Sequence, residues 1–441
     1  MARVQDRKEI VKALERSLIR VSPSILVRSA CTLENEGIKI RGIPSGDWTP
    51  EDMIPSGAKL FVAAVGKGAL KMAQGLVEAL EGTGIEILEG SMVISNRQVV
   101  DTELPHAFQY FVGNHPFPGR EDVSNTNTLL GRLSSLDKGT TVLFLLSGGA
   151  SSLLFRPRDR LTPDVYIDIV RAVMLGGGSI RELNTVRTFM SDVKGGGLCR
   201  PLEGRRVISL VLSDVMGDDP RFIGSGPTFP WEPDPAEVSS IMGRYGIGKE
   251  VVSTVRSAGP RAPLPMMNLT NLLIGSNDAF LDALTSELTD TGWEVKAERR
   301  KFQGDARETG LELLQAGREA LDSTGCSAFL QGGETTVSVK GPGKGGRNSE
   351  MASSLIPLLK EGETVICLAT DGKDGSWEGA GMIVDINTSR RGLRRALMTN
   401  DTGSYAERSG SAVITGPTGN NLGDVFILLR SPPRGPRLHR M

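Results

Sequence analysis

The sequence predicts two α/β domains with largely parallel sheets. Three observations predict it. Apolar runs long enough for buried strands recur along the 441 residues, each followed by a glycine-rich turn and an amphipathic helical stretch. The strands are apolar on both faces, as in sheets covered by helices on either side. The length calls for more than one domain at roughly 100 to 200 residues each.

Residues 59 to 65 (KLFVAAV) read as a buried strand, Gly66-Lys67-Gly68 as a tight turn, and Ala69 to Glu81 as a helix with Leu70, Ala73, Leu76, Val77 and Leu80 on one face. The same βα grammar returns at residues 141–154, 205–219, 271–284 and 364–375. Prolines in SAGPRAPLPMMN (257–268) interrupt a helical stretch before another βα unit opens at Leu272, so the expected domains are 1–264 and 265–430, with 431–441 a flexible tail. TTVSVK then alternates apolar and polar residues and leads through a glycine-rich loop into a helix.

Composition narrows the function. Basic and acidic residues number 51 and 52, a formal net charge of -1, so no basic surface stripe argues for nucleic acid. The charged N-terminus lacks the apolar core of a signal peptide, and no apolar run approaches the ~18 to 20 residues that span a bilayer. The expectation is a soluble cytoplasmic protein, a monomer or homodimer, without nucleic-acid or membrane partners. Four scattered cysteines and three histidines argue against a disulfide framework or a Cys/His zinc site, and weaken Ser-His-Asp catalysis. A metal would be a hard cation held by oxygen, which points to magnesium.

Strand ends in parallel sheets are where ligands collect, and the glycines bunch there. Lys67 lies in the first turn of a helix that follows a strand, where amide dipoles and an ammonium together attract anions. A solvated helix start would read the same way. Ser147, Gly148, Gly149 and Ser151 follow TVLFLL; glycines permit close approach, and hydroxyls with amides can hold phosphate or carboxylate, or merely cap a helix. Asn184 and Arg187 precede Lys194 and three glycines. Seven residues separate the two cations, about two helical turns, so they can share a helix face, and Lys194 also suits a helix C-terminus. Asp214 ends ISLVLSDV, placed to bind magnesium or take a hydroxyl proton; of Asp218 and Asp219, one is expected to cap a helix.

In the second domain, Gly333 and Thr335 end one strand, while Gly345, Gly346, Arg347 and Asn348 close the glycine loop. Asp371 and Asp374 end another strand, and Thr418 belongs to the polar turn TGPTGNN. Converging on one sheet edge, these offer hydroxyls, a guanidinium and carboxylates to polyphosphate and magnesium.

Together VGKGA, GNHPFPG, LLSGGASSLL, LNTVR with KGGGL, LSDVMGDDPRFIGSGPT, IGSN, GGETTVSVKGPGKGGRNSEMA, TDGKDG and TGPTGNN make the chain resemble the type-2 glycerate kinases, over about residues 60 to 428. The resemblance implies a Rossmann-like larger domain and a C-terminal MOFRL domain around a cleft. It also implies transfer of phosphate from ATP, with Mg2+, to D-glycerate, typically giving 2-phosphoglycerate. Lys67, Arg187 and Asp214 would then be catalytic. Ser147, Gly148, Gly149, Ser151, Asn184 and Lys194 would bind substrate, Gly333, Thr335, Gly345, Gly346, Arg347, Asn348 and Thr418 would bind ATP, and Asp371 and Asp374 would hold the metal. The chain departs from the family pattern at Gly119, Phe189, Lys373, Ser376, Glu378 and Asn420. A nicotinamide-dependent hydroxypyruvate reductase and a non-catalytic sugar-acid binder are the competing readings; no G-x-G-x-x-G with a following acid supports the former.

Overall fold

In the computed structural model, the described residues are 2–96, 106–158, 161–257 and 264–430. The expected tail with His439, and residues 258–263 of the expected boundary, lie outside them. The chain divides into two units, one of residues 23–275 and one that joins residues 1–22 to the segment from Ser276 onward.

The 23–275 unit opens with a small antiparallel sheet of β1 (Cys31–Glu34), β2 (Gly37–Arg41) and β3 (Glu51–Pro55). Its main sheet comprises β4 (Lys59–Val65), β5 (Glu86–Ile87), β6 (Ser91–Ser95), β7 (Phe108–Val112), β8 (Thr141–Leu146), β9 (Arg206–Leu212) and β10 (Asn268–Gly275). The order is β10-β9-β8-β4-β6-β7, with β5 beside β4, and every pair is parallel. Both faces of β4 are buried, as its composition requires. Leu60, Val62 and Ala64 pack with Met72, Ala73 and Leu76 of the helix Ala69–Leu80. Phe61, Ala63 and Val65 pack with Leu129 and Leu133 of the helix Arg120–Ser135.

This order has a consequence for ligand binding. From β4 the chain moves through β6 to β7 on one side, then returns to lay β8 and β9 on the other. The gap between β4 and β8 is therefore a topological switch point, where the following loops diverge and leave a crevice.

The other unit corrects two expectations. Its sheet is ordered β11-β12-β16-β13-β14-β15, from β11 (Val295–Asp305), β12 (Ala328–Thr336), β13 (Glu363–Ala369), β14 (Gly381–Asp385), β15 (Ala412–Val413) and β16 (Asp424–Arg430). Only β11 and β12 are parallel, joined through the helix Ala306–Thr324; the remaining pairs are antiparallel. Apolar residues on both faces of a strand report coverage on both sides, not direction. The glycine-rich stretch 370–380 turns β13 back onto β14 without the helical crossover that a parallel pair needs.

The second correction concerns the boundary. β10, expected to open the second domain, pairs with β9 as the edge strand of the first sheet, so the break falls at Gly275/Ser276 rather than at 264/265. The first 22 residues do not belong with 23–264. The helix Ala2–Arg20 lies on the helix Asn277–Asp290, where Arg16 and Arg20 pair with Glu287, and Asn420 Nδ2 donates to the Leu18 carbonyl at 2.9 Å.

Candidate active site

In the 23–275 unit the strand ends assemble as the parallel sheet dictates. Lys67 follows β4, Ser147 follows β8, Asp214 follows β9 and His115 follows β7, so all four leave the same edge. Two hydrogen bonds tie the turns across the switch point: Lys67 N donates to the Gly148 carbonyl at 2.9 Å and Gly68 N to Ser147 Oγ at 3.0 Å. The approach is close enough that a Cβ on Gly66, whose φ is +132°, would overlap Ser147. Gly149 is wedged in the same way, its missing Cβ facing Lys67 at 3.3 Å and His115 at 3.2 Å.

Charge accumulates around this crevice. Burial, then Lys67, then Arg187 lower the His115 pKa to about 4, so its imidazole is neutral at physiological pH. His115 as a residue remains exposed, and solvent screening blunts that shift. Desolvation raises the Asp214 carboxyl pKa while Lys67 opposes the change. Arg187 also feels desolvation, which lowers its pKa, against a smaller opposing effect of Tyr166. Lys67, Arg187, His115 and Asp214 thus share one electrostatic neighbourhood. Two cations, a neutral imidazole and a partly desolvated carboxylate suit an anionic substrate with a hydroxyl to be deprotonated.

Beneath them lies a polar layer. The helix Ile180–Phe189 starts on a capping box, Ser179 Oγ accepting from Glu182 N and the Glu182 carboxylate from Ser179 N, and carries Asn184 and Arg187. Ser225 Oγ donates to Asn184 Oδ1 at 2.7 Å and lies 3.1 Å from Ser151 Oγ. Asn184 is buried, yet among the described residues its Nδ2 has no hydrogen-bond partner. A buried donor left unpaired costs about 1–3 kcal/mol, which a bound acceptor would relieve. Ser225 itself sits at φ +63° between two left-handed glycines, Gly224 and Gly226, a conformation that costs a non-glycine residue about 1–2 kcal/mol.

Lys194 has a different place from the one its spacing suggested. The helix carrying Arg187 stops at Phe189, so the two cations share no helix face. Lys194 is fully buried, and its Nζ donates to the carbonyls of Ser151 and Leu154, both at 2.7 Å, at the C-terminus of the short helix Ala150–Leu153. The glycines after it are likewise structural: Gly195 N and Gly196 N donate to the carbonyls of Ser225 and Gly226, bracketing the strained loop. Neither Asp218 nor Asp219 caps a helix. Asp219 is held by Arg221, Oδ1 to Nε at 2.9 Å and Oδ2 to Nη2 at 2.6 Å, while the Asp218 carbonyl accepts from Trp48 Nε1.

The C-terminal unit gathers its polar turns by an antiparallel route. β12 and β13 run in the same sense on either side of β16, so their C-terminal ends meet its N-terminal end; Asp424 pairs with both Gly333 and Ala369. Arg347 Nε and Nη2 donate to Asp424, and its Nη1 lies 3.0 Å from Glu334 Oε1. Desolvation lowers the guanidinium's pKa, but Asp424 outweighs it and the pKa is raised. Asn348 and Thr335 are buried beside this pair on the same elements. Thr418 Oγ1 donates to the Thr370 carbonyl, and Thr418 N to that of Asp371.

The two aspartates expected at a metal part company. Asp374 is buried and accepts from Asn348 N at 2.9 Å and Ser349 N at 2.7 Å, capping the helix Arg347–Leu355. Desolvation moves its pKa up to about 6 against those hydrogen bonds. Asp371 is half-buried, with one carboxylate oxygen accepting from Lys373 N. Among the described residues no three His, Cys, Asp or Glu side chains group as a metal site. Magnesium carried on phosphate needs only one or two carboxylates, so Asp371 fits and the helix-capping Asp374 does not. The glycine loop is packed against protein: a Cβ on Gly345 would overlap Thr402, and one on Gly346 would overlap Asp374.

Residues 9–258 match a family described as a domain of unknown function, DUF4147, and residues 327–424 match the MOFRL family. The D-glycerate 2-kinase of Thermotoga maritima is 33% identical over 84% of this chain and 90% of its own. The chain belongs to the glycerate 2-kinase family. The glycerate 2-kinase of Picrophilus torridus is 29% identical over 96% of this chain and 95% of its own. The crystal structure of the glycerate kinase from Thermotoga maritima superposes with a TM-score of 0.81, covering 97% of this chain and all of that one at 30% identity.

Within this family assignment, His115 and Ser225 are the residues that sequence reasoning left without a role. GNHPFPG held the signal for His115, as one of three histidines beside a strand end. Ser225 has none in its own residue type; only its position between two glycines marks a strained turn.

Proposed function

We propose that this protein transfers the γ-phosphoryl group of ATP to D-glycerate, giving 2-phosphoglycerate. The reading rests chiefly on the shared neighbourhood of Lys67, Arg187, His115 and Asp214 at the switch point, together with the relatives named as glycerate 2-kinases. Lys67 and Arg187 neutralise the glycerate carboxylate and the charge that builds on the transferring group. Neutral His115 contributes a hydrogen bond without adding to the positive charge. Asp214 takes the proton of the attacking hydroxyl as the new O–P bond forms and the bond to the ADP oxygen breaks; desolvation raises its basicity for that task.

The nucleotide is assigned to the edge formed by Gly333, Asn348, Asp371 and Thr418. Asp371 would hold the nucleotide's magnesium, which would supply charge neutralisation there. Arg347 is engaged by two carboxylates and would reach phosphate by exchanging Glu334, the more exposed of the pair.

The deciding experiment runs ATP with D-glycerate beside NADH with hydroxypyruvate and identifies the product by phosphorus NMR. ADP release with 2-phosphoglycerate, and no NADH oxidation, is expected. NADH consumption without ADP release would replace this reading with the reductase. Glycerate binding without turnover would replace it with a sugar-acid binder.

A further inference from the structure

Away from the residues assigned above, the C-terminal unit holds a pocket of about 770 Å³ whose lining includes Arg391, Arg395, Arg408, Asp401, Pro342 and Gly343. Its charge is unbalanced. Arg408 is shared with Asp401 at 3.5 Å, and Asp401 is also occupied, accepting from Ser404 Oγ and Lys344 N. For the guanidinium groups of Arg391 and Arg395 no ion pair or hydrogen bond occurs among the described residues. Three arginines against one aspartate leave an excess of two positive charges facing one recess.

A bound anion would offset the mutual repulsion of such an excess. Arginine forks match phosphate oxygens two at a time, and the double charge of a phosphate group balances an excess of two where a monovalent anion would not. The volume lies within the range of small-molecule sites and exceeds the need of a bare inorganic ion. A recessed pocket also differs from the open basic stripe that tracks a nucleic-acid backbone. Arg391 lies just before the left-handed N-cap Gly392 and Arg395 in the first turn of the helix Leu393–Thr399, and both line the recess.

We propose that this pocket binds a small phosphate-bearing molecule through Arg391 and Arg395. It stands independently of the reaction assigned above. The pocket also shares a wall with the glycine loop: Gly343 N donates to the Thr399 carbonyl and Gly403 N to that of Lys344. The phosphate's carrier is either a nucleotide or a phosphorylated sugar acid, the two sources that the test separates.

Calorimetric titration of the full chain with inorganic pyrophosphate should reveal a site that Arg391→Glu/Arg395→Glu weakens at least tenfold. Lys296→Glu/Lys360→Glu, the same charge change at exposed positions outside the pocket, should bind as the parent does. Displacement of pyrophosphate from this site by ATP identifies a nucleotide as the carrier, and displacement by 2- or 3-phosphoglycerate identifies a sugar-acid phosphate; both support the proposal. It is overturned if the parent does not bind pyrophosphate, if the pocket variant binds normally, if the control variant loses binding equally, or if neither carrier displaces the probe. Circular dichroism of each variant must match the parent, and both arginines are exposed, so folding is not at stake.

Discussion

Lys67 and Lys194 are both lysines beside glycine turns, and the structure divides them by environment. Lys67 is partly exposed at the crevice and perturbs both His115 and Asp214. Lys194 is buried and committed to two backbone carbonyls. Lys67→Ala should therefore lower turnover on the order of a hundredfold, the cost of one preorganised charge donor, with the unfolding midpoint close to that of the parent. Lys194→Met should do the reverse in kind. It removes two charge-assisted hydrogen bonds and should cost about 2–4 kcal/mol in a urea titration. Equal stability losses in the two variants would erase the distinction. Sequence alone could not draw it, because burial of an ammonium depends on which carbonyls the fold brings to it.

At the scale of elements, the helix Arg347–Leu355 depends on a cap from far along the chain. Gly346 precedes it and offers no side chain, so the carboxylate of Asp374 accepts from its first amides. The cap carries a pH signature. The folded pKa of Asp374, about 6, lies above its ordinary value near 3.8, so between those limits the folded state holds a proton that the unfolded state has lost. Its contribution to stability is full below about pH 4 and falls as pH rises to about 6. In Asp374→Asn this decline should vanish: the stability of the variant relative to the parent should rise from pH 4 to pH 6 and then level. A flat difference across that window would mean that Asp374 titrates normally. The strand-loop pattern placed Asp374 correctly at a sheet edge, but its partner amides lie 25 and 26 residues earlier in sequence, beyond the reach of any local pattern.

At the scale of the whole molecule, the C-terminal unit is discontinuous. Ala13 and Leu14 of the first helix are buried, and Arg16 and Arg20 pair with Glu287. A chain beginning at Pro23 should keep a protease-resistant 23–275 unit while the segment from Ser276 onward becomes readily cleaved. Equal resistance of both would show the first helix to be dispensable. The sequence by itself determined the α/β class, because two-sided apolar strands and 3.6-period helices are local patterns, and it placed Lys67, Ser147 and Asp214 at strand ends that a parallel sheet must align on one edge. Only the tertiary structure decided which strands run antiparallel in the second sheet, to which unit residues 1–22 belong, and which polar groups the fold consumes as caps and clamps. Those outcomes depend on partners distant in the chain, and burial and hydrogen-bond satisfaction select such partners only once the layers have packed.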